Sequence, residues 1–319
     1  DPEVHEACLM GRHFWYKRTT ETVKKGLECF EKAVRLDPEY APAHAGIADS
    51  NIVDGGRYLG VSPKVAYARA REAAERAVEL DDSLAEAHTS LAAVMTDFDW
   101  DWKGADREYR RAIELNPNYV TAHFWFADHL SRVGRHDEAI AEARRAVEID
   151  PLSLTGKFMV AWALYFARRF DQAIEQARKT LELDVNYPPA HRVLGWAREE
   201  RGQYAEAIAA HRQATELSGG AVHFKASLGR TYALAGREED ARKVLAEVTG
   251  PSGNGRVPSF AVAVIHAALG EHDQAFQWLT RACDEHSEHI PYLKVSPRLD
   301  ALRSDSCFAE LLERLRLAD

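Results

Sequence analysis

The stretch GRHDEAIAEARRAVEIDP at residues 134–151 returns twice further along the chain, as RRFDQAIEQARKTLELDV from Arg168 and GQYAEAIAAHRQATELSG from Gly202. The copies start 34 residues apart. A period of that length, repeated in register, restricts the chain to arrays in which each unit buries its apolar face against the next, because one such unit cannot build a core alone. At 319 residues the chain exceeds one ordinary core, and the repetition favours an extended array over two unrelated domains.

Within the first copy Ala139, Ile140, Ala143, Ala146, Val147 and Ile149 recur at helical spacing, with Asp137 and Glu138 in the first turn and Pro151 past the end. Upstream, His123, Phe126, Ala127, Leu130 and Val133 line one face before Gly134 breaks the run, so the unit is a helical hairpin. The expected hairpins lie near residues 5–40, 41–84, 85–119, 120–153, 154–187, 188–221, 222–250 and 257–284. NIVDGGRYLGVSPK in the second and GPSGNGRVP after the seventh read as an insertion and a loop. Residues 285–319 read as a loop and a capping helix from about Cys307, with Phe308, Leu311, Leu312 and Leu315 covering the last hairpin.

The small residues Ala70, Ala105, Ala139, Ala173, Ala207, Ala241 and Ala275 at one position, a second small position from Ala33 onwards, and the terminal DP make each unit resemble a tetratricopeptide repeat. The resemblance implies an all-α, right-handed superhelical α-solenoid of about eight hairpins, with the first helix of each hairpin, helix A, lining the concave side. GRHFWYKRTTETVKKGLECFEKAVRLDP, DWDWKGADREYRRAIELNPNY and VSPRLDALRSDSCFAELLERL are further similar to the C-terminal repeat region of bacterial signalling regulators. Those regulators carry a winged-helix, cyclase-like or Ser/Thr kinase module. No such module is legible in this chain, so the likeness implies a sensing or docking region and lends no catalytic residues.

A net charge of −9 and a pI near 5.9 oppose a phosphate-binding footprint, so no nucleic-acid partner is expected of this segment. No apolar run reaches the ~18 residues of a membrane span, and DPEVHEACLM is not a signal sequence. A cytoplasmic location is the expectation, although a chain that opens on Asp1 reads as a fragment that could have lost its address. Cys8, Cys29, Cys283 and Cys307 lack metal-ligand spacing and read as reduced thiols, a Cys8–Cys29 bridge requiring close helices. HSEH at residues 286–289 offers two imidazoles and no third ligand, and no cofactor or metal is expected.

Carried over position by position, the resemblance puts Asp97 of the third hairpin and Phe124, Asp128 and Arg132 of the fourth on the groove. It adds Phe158, Trp162, Tyr165 and Phe166 of the fifth, Arg192, Trp196 and Glu199 of the sixth, and Arg230 of the seventh. Aromatic walls beside arginines and carboxylates suit an extended peptide or protein segment, or a small effector. The expected function is a non-enzymatic scaffold or ligand-sensing module. Two alternatives are an enzyme acting on a small organic substrate, with Asp97 and Asp128 as an acid–base pair, and self-assembly into a homo-oligomer. His44, His88, His123 and His191 share the fourth position of helix A and read as packing residues.

Overall fold

The computed structural model describes residues 1–17, 19–55, 61–250 and 257–318, so the 51–64 insertion and the 250–258 loop are partly covered. The described residues are all-helical and form the expected α-solenoid, built from helix pairs. These are α1 (Pro2–Trp15) with α2 (Thr20–Leu36), α3 (Ala41–Asp54) with α4 (Pro63–Leu80), and α5 (Ala85–Val94) with α6 (Trp102–Leu115). There follow α7 (Val120–Arg132), α8 (His136–Ile149), α9 (Leu154–Phe166), α10 (Phe170–Leu183), α11 (Pro188–Glu200) and α12 (Tyr204–Leu217). The array closes with α13 (Val222–Leu234), α14 (Glu238–Thr249), α15 (Ser259–Ala268) and α16 (His272–Asp284). Two short 3-10 turns, Ile290–Tyr292 and Pro297–Leu302, lead to α17 (Ser306–Arg314). No described helix is long and apolar enough to cross a membrane.

The period has a backbone cause. Each pair from α7 onward turns through a residue in the left-handed region at Gly134, Arg168, Gly202, Gly236 and Gly270, where φ lies between 59° and 85°. Glycine adopts that conformation freely. Arg168 is the exception, and its side chain has a second task described below.

The return turn uses a different device. Asp37, Asp81, Asn116, Asp150 and Asp184 each accept, on a side-chain oxygen, the backbone N–H two residues on, at 2.9–3.2 Å. Seven residues beyond four of them, the Nε2 of His44, His88, His123 and His191 donates to the carbonyls of Pro38, Asp82, Pro117 and Val185 at 2.7–3.0 Å. These histidines pin the turn to the following helix. His88 also bonds Glu108 through Nδ1, and that contact raises its pKa.

The small positions are where the helices meet. Ala70, Ala105, Ala139, Ala173, Ala207, Ala241 and Ala275 are all fully buried. At the second small position Thr180 is buried too, its hydroxyl donating to the Gln176 carbonyl at 3.0 Å. All four cysteines are free thiols.

The chain divides into two compact units, Asp1–Phe126 and Ala127–Asp319. In the N-terminal unit Cys8, Trp15, Val23, Phe30 and Val53 form one cluster that Trp125 joins, and Ile52, Ala70, Ala93 and Val94 form another that also meets Trp125. In the C-terminal unit α17 buries Phe308 and Leu311, with Leu315 just past its end. Residues 290–302 run on as an almost wholly buried segment: Ile290, Leu293, Leu299 and Leu302 are fully inaccessible.

Candidate binding face

Of the groove residues expected from the sequence, Asp97 and Phe124 belong to the N-terminal unit and the other ten to the C-terminal unit. Asp97 lies in the π-helical turn Met95–Asp99 after α5, and its carboxylate accepts from the Tyr67 hydroxyl at 3.2 Å. Phe124 is buried with its ring edge-on to Trp125.

In the C-terminal unit the aromatic residues of α9 and α11 converge on Trp162. Its ring centroid lies 5.4 Å from Phe158, 5.1 Å from Phe166 and 5.4 Å from Trp196. Tyr165 packs against Trp196 at 5.6 Å. Phe158 is half-buried, whereas Trp162, Tyr165, Phe166 and Trp196 are buried. What covers them is the chain's own segment after α16.

Tyr292 is the anchor of that segment. Its ring stacks on Phe166 at 4.6 Å and 16°, and the Arg132 guanidinium lies 4.7 Å over it. Its hydroxyl donates to Asp128 and accepts from the Trp162 indole N–H at 3.2 Å. Asp128 also accepts from Trp162 at 3.0 Å and from Arg132 at 2.6 Å. Burial pushes the Tyr292 hydroxyl well above the usual tyrosine range, so it stays a donor at every physiological pH.

Six residues on, Arg298 lies 4.0 Å over the Trp196 ring and 5.4 Å over Phe260. Between the two anchors His289 touches the Trp162, Trp196 and Phe260 rings. Burial holds His289 well below the usual imidazole range, and therefore neutral. At the rim Arg168 pairs with Asp300 through two nitrogens, at 2.7 and 2.6 Å.

Glu199 is fully buried and organises a polar cluster beneath the face. It accepts from Arg230 and Thr231 and from His211 Nε2 at 3.1 Å, while Arg230 also reaches Glu200 at 2.9 Å. Burial opposes the Glu199 charge, but Arg230 and His211 outweigh it and leave the pKa below the usual carboxylate range. Glu200, less fully compensated, is raised by burial. His211 fits because Gly195 has no side chain: a Cβ there would meet the imidazole at 2.3 Å. Arg192 lies 5.0 Å over Trp196 and 4.9 Å over Phe224. The Trp196 indole donates to Ser227 at 3.1 Å.

The sequence reading named the helix residues gathered here and did not name Tyr292, His289 and Arg298, which cover them, or His211 and Thr231, which hydrogen-bond Glu199. The available signal was IPYLKVSPRL, an apolar run without helical spacing and with two prolines. Such a run is a buried irregular segment more readily than a linker.

The class these features define is a solenoid of tetratricopeptide hairpins. Residues 101–153, 158–222 and 199–256 match tetratricopeptide-repeat family models, so the chain carries tetratricopeptide repeats. Among solved structures it is similar to a human IFIT1 dimer with PPP-AAAA (15% identity, TM-score 0.61, 83% of this chain and 69% of that one). It is also similar to yeast Tom70 (16%, 0.55, 98% and 67%) and to the APC/C hetero-tetramer Cut9-Hcn1 (16%, 0.58, 92% and 52%). This chain thus spans about half of the Cut9-Hcn1 chain that it matches. At these identities the likeness is one of fold. A comparison with curated proteins found no match.

Proposed function

We propose that this chain is a non-enzymatic binding scaffold of a bacterial regulator, and that the concave face of its C-terminal unit takes extended protein or peptide segments. The observation that carries the reading is the segment already lying there. Residues 289–300 hold to that face by a stacked tyrosine, an arginine on an indole and a rim ion pair, the chemistry by which repeat grooves take peptides. The carboxylates that an enzyme would need are engaged by tyrosines, Asp128 by Tyr292 and Asp97 by Tyr67, which favours recognition over acid–base work.

A partner segment with an aromatic side chain and an arginine about six residues later would exchange with the chain's own. The tethered segment competes at an effective concentration in the ~mM range, so an outside peptide is excluded unless it binds more tightly or the tether's anchor is weakened. The test titrates a labelled peptide of residues 286–304 into the full chain and its Tyr292→Ala variant, followed by fluorescence anisotropy. The variant should bind at ~µM Kd and the unaltered chain at least about tenfold more weakly. Binding should vanish when Trp162→Ala is added. A folded Tyr292→Ala chain that ignores the peptide would sink the exchange reading.

A further inference from the structure

Arg298 is 8% exposed and carries no hydrogen bond, although it lies among polar groups. Its Nε and Nη2 are both buried without a partner. Those two nitrogens form one side of the guanidinium fork, the edge that takes a two-oxygen acceptor side-on. Tyr165 is completely buried, its hydroxyl also lacks a partner, and its ring packs on Trp196, the same indole that Arg298 covers. Burial lowers the Arg298 pKa from its ordinary value, the direction expected of a guanidinium removed from water.

The carboxylates nearby are already engaged. Glu199 serves Arg230, His211 and Thr231, and Glu200 serves Arg230. Arg298 therefore keeps its charge with an aromatic face beneath it and nothing on its donor edge. A cation–π contact stabilises the charge and leaves the N–H groups unsatisfied, and a buried unsatisfied charged donor costs more than a neutral one. Arg230, whose Nε is buried without a partner as well, stands in the same cluster.

We propose that Arg298 and Tyr165 form a binding site for a small oxyanion, a carboxylate or phosphate group held side-on by Nε and Nη2 of Arg298, with the Tyr165 hydroxyl as third donor. The site goes beyond the peptide-exchange reading and needs no partner protein. It exists only while the segment bearing Arg298 is docked, since Tyr165 comes from α9 and Arg298 from the turn Pro297–Leu302. A bound anion therefore stabilises the docked segment by mass action, which makes this a place where a small anionic effector would hold the face closed.

The experiment is isothermal titration and thermal unfolding of the full chain with sodium phosphate and, separately, sodium acetate, each up to about 20 mM at ionic strength fixed with NaCl. Saturable binding and a rising Tm with at least one of them is expected, and the arm that responds identifies the group. Arg298→Met should abolish the response. Arg298→Lys, which keeps the charge but not the two-nitrogen edge, should weaken binding about tenfold, and Tyr165→Phe severalfold. Since Arg298→Met alters a buried position, the two milder variants keep the test decisive if it fails to fold. Wild-type protein that responds to neither anion beyond NaCl overturns the proposal, as does a response of equal size in Arg298→Lys and Tyr165→Phe. The first result would mean that the donor edge is satisfied by water alone, and the second that the anions act elsewhere.

Discussion

The two units use the same hairpin and pack their first helices differently. In the N-terminal unit the helices meet through small buried residues, Ala45 with Ala77 and Ala87, and Ala48 with Ala73 and Ala74, while Trp15 and Trp125 lie edge-on at 6.1 Å. Helices close on helices. A buried charge pair there is local to the face: Arg12 meets Asp49, which also accepts from Ser90 at 2.5 Å. In the C-terminal unit α9 and α11 present Trp162, Tyr165, Phe166 and Trp196, and the chain's own later segment is laid across them. Side-chain size at the A-helix positions therefore separates a face that seals itself from a face that needs an occupant. Alanine lets backbones approach, whereas large rings hold them apart and leave surface that must be covered.

The largest effect should come from opening the self-sealed unit. Trp15→Ala removes a completely buried indole with no segment available to replace it, and should cost about 3–5 kcal/mol in denaturant unfolding. A loss under ~1 kcal/mol would show that the N-terminal face relaxes freely, and the contrast with the other unit would fail. Tyr292→Ala should come next, at about 2–4 kcal/mol, since it removes a stacked ring and leaves Asp128 without one donor. Its signature is regional. Amide exchange should accelerate in residues 290–302 and stay unchanged in α3 and α5, and uniform acceleration would mean that the segment is an inseparable part of the core.

How much of this the sequence showed depends on the distance over which each contact is made. The hairpins are local: the left-handed turn residue, the Asp or Asn of the return turn and the histidine seven positions later repeat within 34 residues and announce themselves. Trp162 and Trp196 were legible as one position of helix A, one period apart. Their occupant was not. Tyr292 reaches Trp162 across 130 residues and Asp128 across 164, so no periodic pattern ties them together. The capping role expected of residues 285–319 was read from α17 alone, because Phe308 and Leu311 have helical spacing and Ile290, Leu293 and Leu299 do not.

A smaller effect concerns pH, and it belongs to the covered face alone. His289 is held below the ordinary imidazole pKa, chiefly by burial, with Glu288 opposing the shift and Arg192, Arg298 and His223 adding to it. The fold therefore favours the neutral ring. Its contribution is complete above the unfolded-state value of ~6.5 and declines as the pH falls, because the unfolded chain then binds the extra proton. His136 is also lowered by burial and His88 is raised by Glu108, so the wild-type profile mixes opposite signs. The difference between wild type and His289→Phe isolates the contribution of this ring: Tm should fall less in the variant between pH 7.5 and 5.5. Parallel profiles would mean that His289 is solvated in both states.

The smallest effect tests whether docking was built into the repeat itself. Arg168 occupies the left-handed turn position that Gly134, Gly202, Gly236 and Gly270 fill elsewhere, and a side chain there costs roughly 1–2 kcal/mol. Its return is the two-nitrogen pair with Asp300, half exposed and worth at most about 1 kcal/mol. Arg168→Gly trades one for the other, and the added freedom of glycine in the unfolded chain brings the net change in Tm close to zero. Asp300→Ala loses the pair, and its bond from Arg303, with no strain relieved, so it should be slightly the more destabilising of the two. Both should raise amide exchange in residues 297–302, Asp300→Ala somewhat more because it also releases Arg303, and adding Arg168→Gly to Asp300→Ala should add nothing, because their shared contact is already gone. Additive increases would assign Arg168 some other role at that turn, and its departure from glycine would no longer mark the face that takes an occupant.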